Sequence, residues 1–191
     1  MKLQKLFFAA VIVLSANAAF AQNDTDTDSH NVTINIPQIA LLDLETLSSL
    51  DFTLGADTSS EAGLAVSFAG AVNSDTWINY TSLVSGTSTN KVMVSLDTNV
   101  PTGLKLTVAV GADAGNGAGA KGVVAVGNKY TLTTASTDII TTIGSGYTGD
   151  GSGSGHNLTY QLGYAADATT NFADLVITDT PLLITYTILT E

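Results

Sequence analysis

The pattern that most constrains this chain is a strict alternation of apolar and polar residues, and it is clearest near the C-terminal end. The apolar members of the last run, which fall on one face of an extended segment, are Ile184, Tyr186 and Ile188. Residues 175–178 form a second apolar run, and Asp179, Thr180 and Pro181 separate the two. A strand so well marked needs a folded partner to pair with, so the pattern predicts a β-sheet that includes the end of the chain.

The same alternation recurs upstream. In residues 31–36 it places Val32, Ile34 and Ile36 on one face, and Pro37 ends the run as a terminal strand requires. Residues 39–47 fit either a buried strand or a short amphipathic helix, and the strand-rich surroundings favour a strand. Further strands are predicted at residues 50–54, 64–68, 76–81, 91–96, 104–110, 123–126, 129–133, 138–143 and 156–164. About ten to twelve short strands with regular turn signals predict a single antiparallel β-sandwich, immunoglobulin-like or jelly-roll-like.

The N-terminal end reads as a signal peptide over residues 1–21. Lys2 and Lys5 precede an apolar run, and Ala19 and Ala21 provide the small residues of a cleavage site. Residues 22–30 form an acidic leader that we expect to be disordered, and residues 31–191 form the sandwich domain. No later segment is long and apolar enough to span a membrane. We therefore expect an exported protein, located outside the cell, on its surface or in the periplasm.

Charge and composition exclude several classes of function. Removal of residues 1–21 leaves four lysines and no arginine against 17 acidic residues, so the net charge is near −13. A surface of this sign repels nucleic acid and anionic lipid heads. The chain has no cysteine, so its stability in an oxidising compartment must come from packing and pairing rather than from disulfides.

No catalytic constellation is visible in the sequence. The only histidines are His30, in the leader, and His156, which follows a glycine- and serine-rich stretch without a nucleophile-elbow frame. Without cysteine or arginine, thiol catalysis and guanidinium clamping of phosphates are excluded as well. We expect a protein that is not an enzyme and that has no bound cofactor other than a possible Ca²⁺ ion.

Two glycine-rich stretches, residues 111–122 and 144–155, offer few side chains that would anchor them, and we expect both to be mobile. Gly127 and Asn128 fit the tight turn of a hairpin. Three loop aspartates are candidate Ca²⁺ ligands at one end of the sandwich: Asp113, Asp138 and Asp150. The alternative interpretation is that they are turn formers, whose side chains bond their own backbone.

Aromatic residues allow a glycan-binding interpretation. Alternation puts Trp77 and Asn79 on one strand face and Ile78 and Tyr80 on the other. Trp77 is expected to lie wholly or partly in the core, and the alternative is a sugar-stacking platform shared with a loop aromatic such as Tyr147. A glycan-binding module, with Ca²⁺ held by loop aspartates, is therefore the rival to a structural role.

Several stretches carry a resemblance to known proteins: residues 30–37 together with 40–45, and residues 100–104, 144–149, 155–160 and 184–188. In these the chain resembles a group of small exported β-sandwich proteins of Bacteroidetes, and the resemblance covers nearly all of the chain after residue 21. More distantly, the terminal strands resemble those of fimbrial subunits and WxL-type surface domains. The cysteine pair common in the fimbrial subunits is missing, and Thr-Tyr-Thr stands where WxL domains carry their Trp motif. The resemblance implies a fold and an export route, and no activity.

These observations predict a structural or adhesive surface protein, fimbria-like in its use of terminal strands. The residues predicted to carry the pairing are Val32, Ile34 and Ile36 at one end and Ile184, Tyr186 and Ile188 at the other. The two strands pair either within one chain, which gives a closed monomer, or between neighbours by addition to a sheet edge. The closed monomer is the favoured alternative.

Overall fold

A computed structural model describes residues 27–46, 50–52, 61–68, 71–166, 172–175 and 179–191. The chain divides into two units, Met1–Ile36 and Pro37–Glu191. In the first unit, residues 27–36 have no regular secondary structure and are exposed. The predicted signal peptide and residues 22–26 of the leader lie outside the described residues.

The second unit is built from strands, which confirms the predicted fold class. Its described residues hold eleven strands and one short 3₁₀ helix, Phe172–Asp174. The strands are β1 (Ile39–Thr46), β2 (Val72–Leu83), β3 (Asn90–Leu96), β4 (Leu104–Asp113), β5 (Ala118–Gly119), β6 (Val123–Val124), β7 (Lys129–Thr131), β8 (Thr137–Ile143), β9 (Gly146–Tyr147), β10 (His156–Tyr164) and β11 (Ile184–Thr190). No helix among the described residues is long and apolar enough to cross a membrane.

Two antiparallel sheets pack face to face as a β-sandwich. The first has the order β5-β9-β2-β10-β4-β7, with β1 paired to β2, and the second has the order β11-β3-β8-β6. β1 runs along β2 from Ile39 opposite Leu83 to Thr46 opposite Thr76. β11 pairs with β3 in unbroken register. In the described part of the chain, β1 and β11 are therefore edge strands of the two sheets.

The core lies between the sheets and is formed by the apolar members of the alternating strands. Its fully buried side chains include Ile78, Val92, Val108, Ile139, Ile140, Ile143 and Leu158. In β11, Ile184, Tyr186 and Ile188 face this core and are half-buried, whereas Thr185 and Thr187 are exposed. The predicted faces of the last strand are thus confirmed.

The predicted strand at residues 31–36 is wrong for this chain, since the first strand begins at Ile39. Val32, Ile34 and Ile36 are 73%, 80% and 71% exposed, respectively. Alternation assigns each side chain to a face of an extended segment, but it contains no information about which strand, if any, lies alongside.

The predicted strand at residues 64–68 is also absent, and side-chain contacts hold this segment instead. The ring of Phe68 meets the ring of Tyr164 edge-on, with 4.6 Å between centroids, and the Tyr164 hydroxyl donates a 2.9 Å hydrogen bond to Val66 O. At residues 50–52 there is likewise no strand, although Leu50 and Phe52 pack against the core.

The predicted hairpin at Gly127 and Asn128 is wrong in its pairing. Both residues have positive φ, 98° and 43°, so the turn itself is present. However, β6 pairs with β8 in one sheet and β7 pairs with β4 in the other. The turn therefore carries the chain from one layer of the sandwich to the other, which local turn chemistry does not distinguish from a hairpin.

The two glycine-rich stretches are anchored to each other, contrary to the expectation that nothing would hold them. Ala118 and Gly119 in the first pair with Tyr147 and Gly146 in the second. A side chain at Gly117 would place its Cβ 2.0 Å from Tyr147 O, so glycine is required for this close approach. Mobility of these stretches remains a prediction.

Candidate functional site

A pocket on the outer face of the first sheet gathers several of the polar side chains. Ile78 and Tyr80 of β2 point into the core, so Trp77 and Asn79 point to the opposite face. Directly paired residues on neighbouring antiparallel strands share a face. Asp43 pairs with Asn79 and Glu45 pairs with Trp77, so β1 delivers two carboxylates to this outer face.

The connection between β9 and β10 folds over the same face. Its backbone is fixed to β2 by a 3.1 Å hydrogen bond from Thr148 N to Tyr80 O, and the Asn79 side-chain amide donates to Gly151 O at 3.1 Å. Gly155 has φ +66°, and a Cβ there would lie 2.2 Å from Ile78 O. Glycine at this position therefore lets the connection lie close to β2, and the connection carries Asp150.

Three carboxylates meet as a result. One oxygen each from Asp43, Glu45 and Asp150 lies within 4.8 Å of the other two, and this is the one such group among the described residues. The adjoining pocket has a volume of about 350 Å³, and Leu41 and Tyr147 form apolar parts of its wall. Tyr147 is 51% exposed. Carboxylate oxygens suit a hard cation such as Ca²⁺, and an exposed aromatic ring suits the apolar face of a sugar.

The structure separates the three aspartates that the sequence suggested as a Ca²⁺ set. Asp150 belongs to the acidic group, whereas Asp138 forms an ion pair with Lys91 at 3.1 Å and Asp113 forms one with Lys121. A lysine ammonium thus already neutralises each of the other two carboxylates. Neither is brought together with Asp150.

Of the two aromatic residues suggested for sugar stacking, only Tyr147 lines the pocket. Tyr147 lies in the pocket wall, as the glycan-binding alternative requires. Trp77 is half-buried, but it lies on the outer face beside Glu45 and does not pack against the core, so the predicted core or partial-core position is wrong. Its neighbours on the strand, Ile78 and Tyr80, took the core face instead.

A buried polar cluster lies on the core-facing side of β2, and His156 is one of its members. The imidazole Nδ1 donates to Gly111 O at 2.9 Å, and Nε2 lies 3.0 Å from the Tyr80 hydroxyl, which also bonds Lys121 O. Burial lowers the pKa of His156 and raises that of Tyr80. His156 is 2% exposed, so its ring is enclosed by the protein rather than presented to a substrate.

The edge at β11 is the second place where predicted residues gather. Asp97 N donates to Leu183 O, and Glu191 N donates to Thr89 O. Since hydrogen-bonded pairs alternate along an antiparallel ladder, the backbone groups of Ile184, Tyr186 and Ile188 point away from β3. They line the open edge of the second sheet in the described part of the chain.

A hydrogen bond of 2.7 Å joins the hydroxyls of Tyr186 and Tyr160, which belong to opposite sheets. Burial raises the pKa of Tyr160 to about 12 and that of Tyr186 well above its usual value. The C-terminal strand is therefore held to both layers of the sandwich, by its ladder on β3 and by this bond to β10.

Sequence reasoning missed Asp43, Glu45 and Asn79. Asp43 and Glu45 are two residues apart in a segment predicted as a strand, so period-two alternation already placed both carboxylates on one face. That Asp150 joins them depends on a fold-over of the β9–β10 connection, which no local pattern encodes.

Comparisons with known proteins give no further identification: no family model, no curated protein and no solved structure matches this chain.

Proposed function

We propose that this protein is an exported, non-enzymatic structural or adhesive surface component, whose copies join by strand addition. The segment formed by residues 31–36 of one copy adds to the open edge of β11 in the next. The observation that carries this proposal is the exposure of Val32, Ile34 and Ile36 on a segment with strand alternation. Exposed alternating apolar residues of this kind suit β-augmentation.

The accepting edge has matching features. The backbone groups of Ile184, Tyr186 and Ile188 face outward at β11, so an added strand finds donors and acceptors at every second residue. Side chains at this side of the core, including Leu42, Ile184 and Ile188, are only half-buried. Three apolar side chains on an incoming segment would cover them, and apolar burial contributes about 25 cal/mol per Å².

The proposal of a non-enzymatic role rests on the surroundings of the titratable groups. His156 is enclosed by Tyr80 and Gly111, and the three carboxylates lie at an exposed edge of the sheet. An acidic surface keeps such a component soluble before assembly. Export remains part of the proposal and rests on residues 1–21.

Competition by a peptide tests the proposal. A synthetic peptide with the sequence of residues 31–36 should reduce the fraction of associated protein in sedimentation velocity, because it occupies the edge of β11. The matched control is the same peptide with Ile34→Asp, which should have no effect because an aspartate cannot enter the apolar side of the edge. Equal activity of the two peptides, or no association without peptide, would count against strand addition.

A second candidate function is Ca²⁺-dependent glycan binding at the outer-face pocket. The specific observation in its favour is the position of Tyr147 in the wall of a pocket that borders Asp43 and Asp150. There Asp43, Glu45 and Asp150 would hold the ion, and the tyrosine ring would stack on a sugar.

A glycan array with and without a chelator tests this second candidate. Binding should disappear with the chelator and in Tyr147→Ala, while Phe172→Ala, which removes another half-exposed aromatic ring, should bind normally. Binding that is insensitive to the chelator would contradict a role for Ca²⁺. Binding that is unchanged in Tyr147→Ala would contradict glycan binding at this pocket.

A further inference from the structure

The four lysines that follow residue 21 have two different environments. Lys91 and Lys121 form ion pairs with Asp138 and Asp113. Lys105 and Lys129 have no carboxylate partner among the described residues, although the chain carries 17 acidic side chains. The two unneutralised lysines line one polar groove, of about 470 Å³, on the outer face of β10, β4 and β7.

Strand register explains why these side chains meet. Leu106, Val108 and Val110 of β4 point into the core, so Lys105 and Thr107 point outward. Gly163 lies opposite Lys105, Gln161 and Thr131 lie opposite Thr107, and Lys129 lies opposite Ala109. The remaining lining residues of the groove are accordingly Thr107, Thr131, Gln161 and Gly163.

The groove has the donors and the space that a ligand needs. The Lys129 ammonium donates to Gln161 Oε1 at 2.7 Å, which fixes its position beside the groove, and Thr107 Oγ1 donates to Gln161 O at 3.2 Å. Lys105 is exposed, and its ammonium has no hydrogen-bond partner among the described residues. At Gly163 an added Cβ would meet nothing within 4 Å, so the floor is open.

We propose that this groove binds a carboxylated sugar of the uronic acid type, with Lys105 and Lys129 as the carboxylate ligands. Lysine is a point charge that suits a single carboxylate, and the hydroxyl and amide groups of Thr131 and Gln161 suit sugar hydroxyls. The volume is that of a small-molecule site. A long polyanion such as nucleic acid fits poorly, because the rest of the acidic surface repels it. The site lies on a different face from β11 and does not depend on strand addition.

Titration of the full chain with trigalacturonate, followed by calorimetry, tests the charge requirement. Lys105→Ala and Lys129→Ala should each weaken binding about tenfold, since each removes one charge-assisted contact. Lys91→Ala is the matched control and should leave affinity unchanged, because Lys91 is engaged with Asp138 on the other sheet. Neutral galactose oligomers should not bind.

A steric variant tests the location without a change of charge. Gly163→Leu should fold normally, because a side chain at this position meets open space, and it should abolish binding of trigalacturonate by filling the floor. Undetectable binding to the wild-type chain at millimolar ligand overturns the proposal. Equal affinity for inorganic phosphate, or unchanged binding by Gly163→Leu, also overturns it, since the lysines would then act as a general anion patch.

Discussion

Two segments of this protein share one sequence pattern, but only one of them is part of a sheet. Residues 31–36 and strand β11, Ile184–Thr190, both alternate apolar with polar residues. β11 is paired along its length with β3, and its apolar side chains are half-buried against the core. In residues 31–36 the apolar side chains are at least 71% exposed. Alternation therefore makes a segment suitable for a sheet, but a partner strand is needed before the segment becomes part of one.

The largest expected effect comes from the same substitution in the two segments. Ile188→Asp should lower the free energy of unfolding by about 3 kcal/mol, because it places an unpaired charge against the core. Ile34→Asp should change the stability of the monomer by no more than about 0.5 kcal/mol, as for other exposed positions. Urea unfolding of both variants, at protein concentrations too low for association, measures the difference between the two free energies of unfolding. Equal destabilisation by the two substitutions would contradict the view that only β11 packs against the core.

A smaller effect is expected at the bond that joins β11 to the opposite sheet. Tyr186→Phe removes a hydroxyl that is 2.7 Å from that of Tyr160 and should lower the free energy of unfolding by about 1 to 2 kcal/mol. Tyr160→Phe is the matched variant, and a double-mutant cycle isolates the coupling between the two hydroxyls. A coupling energy indistinguishable from zero would mean that the ladder on β3 alone holds the strand.

The smallest change in the free energy of unfolding is expected from a fall in pH. Since the folded-state pKa of His156 is lowered below 6.5 by burial, its contribution to stability is complete above about pH 6.5 and is lost as pH falls through the folded-state pKa. One proton gives a slope of at most about 1.4 kcal/mol per pH unit. Urea midpoints from pH 7.5 to 5 measure it, and His156→Gln should flatten the curve. An unchanged slope in that variant would assign the acid sensitivity to other groups.

Much of the fold follows from local pattern, as β3 and β10 illustrate. The alternating apolar residues Val92, Val94 and Leu96 of β3 are buried, as are Leu158 and Tyr160 of β10, and the predicted limits differ from the observed ones by one residue or less. β2 is longer than predicted, since Val72 to Asp75 lacks apolar alternation and joins the sheet through pairing with β10. Contacts distant in sequence, rather than propensity, thus set this strand's start.

The candidate site was less predictable for the same reason. Asp43 and Glu45 share a strand face, which their spacing indicates, but Asp150 reaches them only because the β9–β10 connection folds over β2. Lys105 and Lys129 meet because β7 pairs with β4, although the local pattern around Gly127 favoured pairing with β6. In both cases the strand order of the sheets, which local sequence does not specify, brings the chemistry together.

In the assembly that we propose, residues 31–36 of one copy pair with β11 of another. Hydrogen exchange of the chain from residue 22, measured over a range of protein concentrations, tests it most directly. If residues 31–36 join the next copy, the amides of residues 32–36 should exchange freely in dilute solution and gain protection together with Ile184, Tyr186 and Ile188 as concentration rises. Ile34→Asp should prevent both gains. Protection of residues 32–36 in a protein that remains monomeric, or free exchange at every concentration, would contradict it.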